Sequence, residues 1–307
     1  MKEESKATKK GRILKITLQL LLLVIVLTVL YFQLQSFRWN EFAKITVSNW
    51  WFLILSFVLI PVNQWFEYVK WQKFTNHLVH DRSLVRKAFL AGLASGFLSP
   101  NGWGNVFGRM IYFRKRDRML IVLSTALGNL SQLLPTVFFG AIAFSMSGKY
   151  HVSFTILSWI LFAGLVLLYF FADRLFKNRK WRVKWIRHLL LMLQRFGYLR
   201  FELLALSTLR FLVFSAQFVL LFMAFGCNNI SELTLFVWLI YAFTSFVPSL
   251  WSGKILIRET AALFVLTGSG IEPSVTIVVC LLIWIFNIAM PALFGSFVRI
   301  PLKQKLK

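Results

Sequence analysis

The sequence predicts an all-α polytopic membrane protein of about six full transmembrane helices plus two re-entrant hairpins, arranged as an inverted repeat. Three observations lead there. The chain is 58% hydrophobic and 17% aromatic, with 33 Phe and 12 Trp in 307 residues, and no soluble domain of that size hides so much apolar surface. Windows such as 13-ILKITLQLLLLVIVLTVLYFQL-34 carry one charge over a bilayer's length. The formal charge of +24 is unevenly spread, because 29 of the 35 Lys and Arg fall within 2–15, 70–87, 109–118, 174–200 and 299–307. Each of these places borders a hydrophobic segment. That is the pattern of cytoplasmic loops under the positive-inside rule, not of a nucleic-acid interface. Membrane lipids with anionic headgroups are the partners such loops attract.

A topology follows from the charges. Residues 1–12 form a basic cytoplasmic tail, 13–300 a single membrane domain, and 301–307 a second basic cytoplasmic tail. Helix 13–35 is too long for a signal-peptide core and stays as an anchor. Helix 50–69 returns to the basic segment 70–87. The apolar run 88-AFLAGLASGFLSPNGWGNVFGR-109 is flanked by basic clusters at both ends, so it enters and comes back, with Pro100, Asn101 and Gly102 breaking it. Helix 119–146 then leaves and helix 153–172 returns. Segment 174–200 holds nine basic residues with Trp181, Trp185, Leu189 and Leu193 at helical spacing, which reads as an amphipathic helix on the inner leaflet. Helix 203–226 goes out, 233–268 is broken by 247-VPSLWSGK-254 into a second hairpin, and helix 275–297 ends at the cytoplasmic tail.

The halves 13–146 and 153–297 therefore share one order of elements with opposite orientation. Each carries a break followed by an arginine: Pro100, Gly104 and Arg109 in the first, Pro248, Gly253 and Arg258 in the second. Each hairpin precedes a helix with a mid-span amide and a proline, Gln132 with Pro135 and Asn287 with Pro291. Interrupted segments at corresponding positions point to a ligand site where the breaks meet, near the midplane. A helix restarting after such a break exposes unpaired N–H groups that suit an anion. The candidate headgroup-binding residues are thus Pro100, Asn101, Gly102, Gly104, Asn105, Arg109, Gln132, Pro248, Gly253, Lys254, Arg258 and Glu259, with Glu259 also the expected ion-pair partner of Arg258. Lys254, Arg210 and Arg258 lie within or near embedded segments, where an ionisable side chain is costly and usually functional.

With 100-PNGWGNVFGR-109 early and 248-PSLWSGKILIRE-259 late, the chain resembles the lysylphosphatidylglycerol synthase transmembrane-region, or flippase-like, family from about residue 13 to 297. Members typically show a Pro/Gly segment leading to Glu-x-x-x-Arg, and later Pro-x-x-Gly-Gly-x-Gly-x-Arg-Glu. Arg109, Arg258 and Glu259 match. Asn105 stands where the first motif has an acid, Gly253 is followed by Lys254, and 128-GNLSQ-132 replaces an acidic–basic pair. The resemblance implies a multi-pass protein of a bacterial or archaeal plasma membrane that handles lipids, without the soluble aminoacyl-transferase domain.

The function expected is a lipid transporter or flippase-like protein that binds an anionic phospholipid headgroup between the hairpins. The alternative is an accessory subunit or an enzyme of lipid or lipid-linked glycan modification, with a lipid-modifying enzyme as partner. Against catalysis, Asp81, Asp117 and Asp173 sit singly in basic loops and no nucleophile–base set is visible. Cys227 and Cys280 make no ligand spacing with each other or with His77, His80, His151 and His188, so neither a metal nor another cofactor is expected.

Overall fold

The computed structural model describes residues 45–76, 81–97, 99, 103–175, 194, 196–246 and 255–298. The expected helix 13–35, the breaks at 100–102 and 247–254, most of segment 174–200 and both tails lie outside the described residues. Among the described residues the chain is helical and has no strand. The helices are α1 (Trp50–Thr75), α2 (Arg82–Phe97), α3 (Trp103–Met110), α4 (Arg118–Ser147), α5 (Val152–Leu175), α6 (Arg200–Ala224), α7 (Ile230–Phe246), α8 (Ile255–Leu266), α9 (Pro273–Trp284) and α10 (Met290–Ser296). A π-helical turn, Ile285–Ala289, joins the last two. Five stretches are long and apolar enough to cross a membrane: Trp50–Thr75, Arg118–Ser147, Val152–Ala172, Gly197–Ala224 and Pro273–Ser296. This is a multi-pass membrane protein.

The outer surface is that of a body in lipid. Trp51, Trp65, Phe154, Leu157, Ile160 and Leu167 are all exposed, a display that water would not tolerate and acyl chains favour. Helix α5 is apolar all round and only 6% of its spanning window is buried, so it rides on the edge of the bundle.

Helices α1 and α6 lie antiparallel and are stitched from end to end. Ser56 and Gln217 exchange side-chain bonds with each other's backbone carbonyls at 3.3 and 3.0 Å. Lys70 Nζ donates to Ser207 Oγ at 3.2 Å, and Lys73 pairs with Glu202 at 2.7 Å. Helix ends are fixed locally. The Asn49 side chain caps α1, Asp81 Oδ1 accepts from the backbone of Ser83 and Leu84 to start α2, and Gly148 closes α4 at a φ of 59° that glycine adopts without strain.

Two helical hairpins flank this pair. Helices α2 and α3 pack antiparallel at backbone distance: Ser95 Oγ donates to the Gly104 carbonyl at 2.6 Å and the Gly104 N–H donates to Ser99 Oγ at 2.5 Å. A Cβ on Gly104 would lie 2.0 Å from the Ser95 carbonyl oxygen. Helices α7 and α8 form the other hairpin. The start of α7 and the segment after α8 share a cavity of about 450 Å³ with Ser48 and Cys227, at the end of the bundle opposite Arg82 and Arg118. Helix α7 packs on α4 and α2 packs on α10, each contact passing through a glycine. A Cβ on Gly140 of α4 would lie 2.7 Å from Ala242 Cβ, and one on Gly295 of α10 would lie 2.3 Å from the Leu90 carbonyl oxygen.

Gly104→Ala should therefore lower the thermal stability of the purified protein by about 1–3 kcal/mol, the usual cost of forcing atoms into a full space. Gly164→Ala in α5, where nothing lies within 4 Å of the added methyl, should be neutral or stabilising by up to about 1 kcal/mol. Equal melting shifts for the two variants would show that the α2–α3 contact is not close-packed.

Candidate functional site

Four ionisable side chains converge inside the bundle. Glu67 of α1 receives Lys70 from one turn further along the same helix at 3.0 Å, Arg210 of α6 at 2.9 Å and Arg109 of α3 at 3.6 Å. Lys70 and Arg109 keep only 3% of their side-chain surface, while Glu67 and Arg210 keep 18% and 23%. Helical rise puts Glu67 about 12 Å and Lys70 about 8 Å from the Thr75 end of α1, inside a stretch long and apolar enough to cross a membrane.

Amides and hydroxyls complete the cluster. Gln132 Oε1 accepts from Lys70 at 3.2 Å and from Arg210 at 3.3 Å, and its Nε2 donates to the Ser207 carbonyl at 3.2 Å. Asn63 Oδ1 accepts from Arg210 Nε at 3.0 Å while its Nδ2 donates to Asn287 Oδ1. Gln64 Nε2 reaches the Asn287 carbonyl at 3.4 Å. That carbonyl is available because Pro291, four residues on, has no N–H to return and the π-turn displaces the helical register. Ser131 and Ser207, both fully buried, share a bond at 2.9 Å.

The charges do not cancel. Three cations surround one carboxylate, an excess of two positive charges among the described residues. Arg109 is the least satisfied: its Nε has no hydrogen-bond partner, and its Nη2 meets Glu67 Oε1 at 3.6 Å, beyond hydrogen-bond distance. Its guanidinium instead lies 4.5 Å from the Trp71 ring centroid and 5.4 Å from that of Phe89, an aromatic sandwich that offsets part of the desolvation. Gly92 leaves it room, since a Cβ there would lie 2.5 Å from Asn105 Oδ1 and 2.8 Å from Arg109 Cγ. Asn105 Oδ1 is itself buried without a partner.

Of the residues expected from sequence, Arg109, Asn105 and Gln132 belong to this cluster or its wall, while Gly104 lies in the α2–α3 seam against Ser95 and Ser99. Pro100, Asn101, Gly102, Pro248, Gly253 and Lys254 lie outside the described residues. Arg258 stands over the Tyr241 ring at 5.7 Å, with Nε and Nη1 unpartnered. No ion pair with Glu259 forms among the described residues, which corrects that pairing. Adjacent helical residues point about 100° apart and do not face each other. A second correction concerns Lys70, expected at the head of a basic loop: α1 runs on to Thr75 and buries it. Sequence reasoning missed Asn63, Glu67 and Lys70, although their i, i+4, i+7 spacing draws a polar stripe on an otherwise apolar helix.

No protein-family model, curated protein or solved structure matches the chain.

Glu67→Gln should destabilise the protein by about 3–5 kcal/mol, because it leaves three buried cations without a counter-charge. Adding Lys70→Gln should recover part of the loss, as contacting partners are not additive. A melting temperature for Glu67→Gln equal to wild type would show that the carboxylate does not hold the cluster.

Proposed function

We propose that this protein binds the anionic headgroup of a membrane lipid at the Glu67–Lys70–Arg109–Arg210 cluster and moves lipid in the manner of a flippase-like transporter. The observation that carries the proposal is the buried excess of positive charge, with an Arg109 guanidinium whose Nε has no hydrogen-bond partner and whose Nη2 meets Glu67 only at 3.6 Å. Uncompensated cations at membrane depth cost several kcal/mol unless a counter-ion meets them. A phosphate oxygen supplies both the charge and the missing acceptors.

The exchange between halves supports the inverted-repeat reading. Gln132, from the helix after the first hairpin, bonds Arg210 and Ser207 of the second half, and Asn287, from the helix after the second, bonds Asn63 and Gln64 of the first. In both helices a packing glycine follows the amide by eight residues, at Gly140 and Gly295. Under this reading α2–α3 and α7–α8 are the re-entrant hairpins and the ligand sits between them, with Arg258 the cation of the second. The flippase-like resemblance gains a physical rationale too: where Asn105 replaces the acid of the first motif, Glu67 brings a carboxylate to Arg109 from α1. By the positive-inside rule the end with Arg82, Arg86, Arg114, Lys115 and Arg118 faces the cytoplasm, and the Cys227 end faces out.

In lipid nanodiscs, Arg109→Ala and Arg210→Ala should each weaken binding of phosphatidylglycerol by about 1.5–3 kcal/mol, the range of a hydrogen bond to a charged group. The double variant should lose less than the sum. Wild-type binding and lipid translocation in a folded double variant would remove the central-site reading.

Orientation is tested with the native thiols. Cys280 is buried, whereas Cys227 is half-buried in the loop after α6, where burial raises its pKa above the ordinary thiol value. An impermeant maleimide should label Cys227 in intact cells, at a rate that climbs as pH rises from about 7 to 9 because the thiolate is the nucleophile. Labelling that requires permeabilisation would reverse the orientation.

A further inference from the structure

We infer that the ligand is a dianionic phosphomonoester rather than a phosphodiester, so that among lipids the site selects one with a terminal phosphate. The inference rests on the headgroup reading above and sharpens it. The described cluster holds Lys70, Arg109 and Arg210 against Glu67 alone, leaving two positive charges to be met. A phosphodiester headgroup brings one negative charge to this place. A terminal phosphate brings close to two above its second ionisation near about pH 6, with three acceptor oxygens.

The donor geometry agrees. Arg109 Nε has no hydrogen-bond partner and Nη2 meets Glu67 Oε1 only at 3.6 Å, so this guanidinium has donor capacity left for a phosphate oxygen. Arg109 is 2% exposed and clamped by Trp71 and Phe89, so its edge is fixed before a ligand arrives. Lys70 is likewise held in place, by Glu67, Gln132 and Ser207, as a point charge beside it. Neutral groups fill the rest of the shell: Asn63, Gln132 and Asn287 carry no charge that would lower the demand for a dianion. Had Gln132 been an acid, one negative charge on the ligand would have sufficed.

The test measures binding of phosphatidate, phosphatidylglycerol and inorganic phosphate to the full-length protein in nanodiscs of neutral lipid, at pH 8 and pH 5. At pH 8 phosphatidate should bind about tenfold or more tighter than phosphatidylglycerol, the factor one added charge-assisted hydrogen bond supplies. The preference should shrink at pH 5, where the terminal phosphate holds its second proton. Lys70→Gln removes one cation and should bring the two lipids together. Glu67→Gln with Lys70→Gln restores an excess of two positive charges, so selectivity should return at lower overall affinity, which separates a charge effect from a folding defect. Equal binding of both lipids at pH 8 overturns the dianion inference and leaves the headgroup reading standing. Inorganic phosphate competing as well as phosphatidate keeps the phosphomonoester and overturns the lipid. Binding of none of the three overturns both.

Discussion

One carboxylate holds the interior together. Glu67 touches a cation from its own helix, one from α6 and one from the α2–α3 hairpin. Three separately packed elements thus meet at a single group whose removal would leave like charges facing one another in a medium that screens them poorly. Much of the remaining architecture follows from keeping that group supplied. The long α1–α6 contact sets Lys70 and Arg210 on facing surfaces, and the close α2–α3 packing delivers Arg109 from the side. In hydrocarbon there is no water to correct a misplaced charge, so the helices must be positioned to within hydrogen-bond distance by packing alone.

Small residues make that packing tight enough. Gly104, Gly140 and Gly295 each sit where a methyl group would overlap a neighbouring helix, the membrane solution to bringing backbones together without a strong hydrophobic drive between helices. Gly92 serves another purpose, since the atoms it makes room for are Asn105 Oδ1 and the Arg109 side chain. Its lack of a side chain shapes the site, whereas the other three shape the bundle. The aromatic walls of Arg109 have a comparable double use: Trp71 also packs edge-on against Phe113 and donates its indole N–H to the Val85 carbonyl at 3.2 Å, tying α1 to the start of α2.

That the chain is an all-α multi-pass membrane protein was legible because bilayer thickness writes itself into sequence as the length of apolar runs, and charge asymmetry marks their ends. Gln132 and Asn287 stood out for a related reason, being polar in the middle of long apolar runs, and Arg109 because it follows the Pro–Gly break that ends one. Glu67 and Lys70 did not. They sit in the last three turns of α1, where an embedded stripe and a flanking basic loop have the same composition, and only helical phase tells them apart. Arg210 stood out as an embedded cation, but its partner lies 143 positions away in the chain, and pairing at such a distance is set by tertiary packing. Arg258 and Glu259 show the opposite hazard, since neighbours in sequence suggest a pair that helix geometry keeps apart.

The amides explain how a cluster of like charges remains ordered. Gln132 Oε1 accepts from both Lys70 and Arg210, so two cations that repel are held through one neutral oxygen. Asn63 turns its oxygen to Arg210 and its nitrogen to Asn287, which commits every polar atom of that side chain. Replacing these amides with acids would quench the positive excess, and replacing them with apolar groups would strand the cations. Amides satisfy the donors while leaving the net charge in place, as the Ser207 hydroxyl does for Lys70. Because Gln132 and Asn287 come from helices far apart in the chain, a displacement of either helix alters the set of acceptors around Arg210 and Asn63. The π-turn at Ile285–Ala289 is the local element whose register decides where Asn287 points. Charge inside the bundle is thereby coupled to the register of these helices through the hydrogen bonds of Gln132 and Asn287.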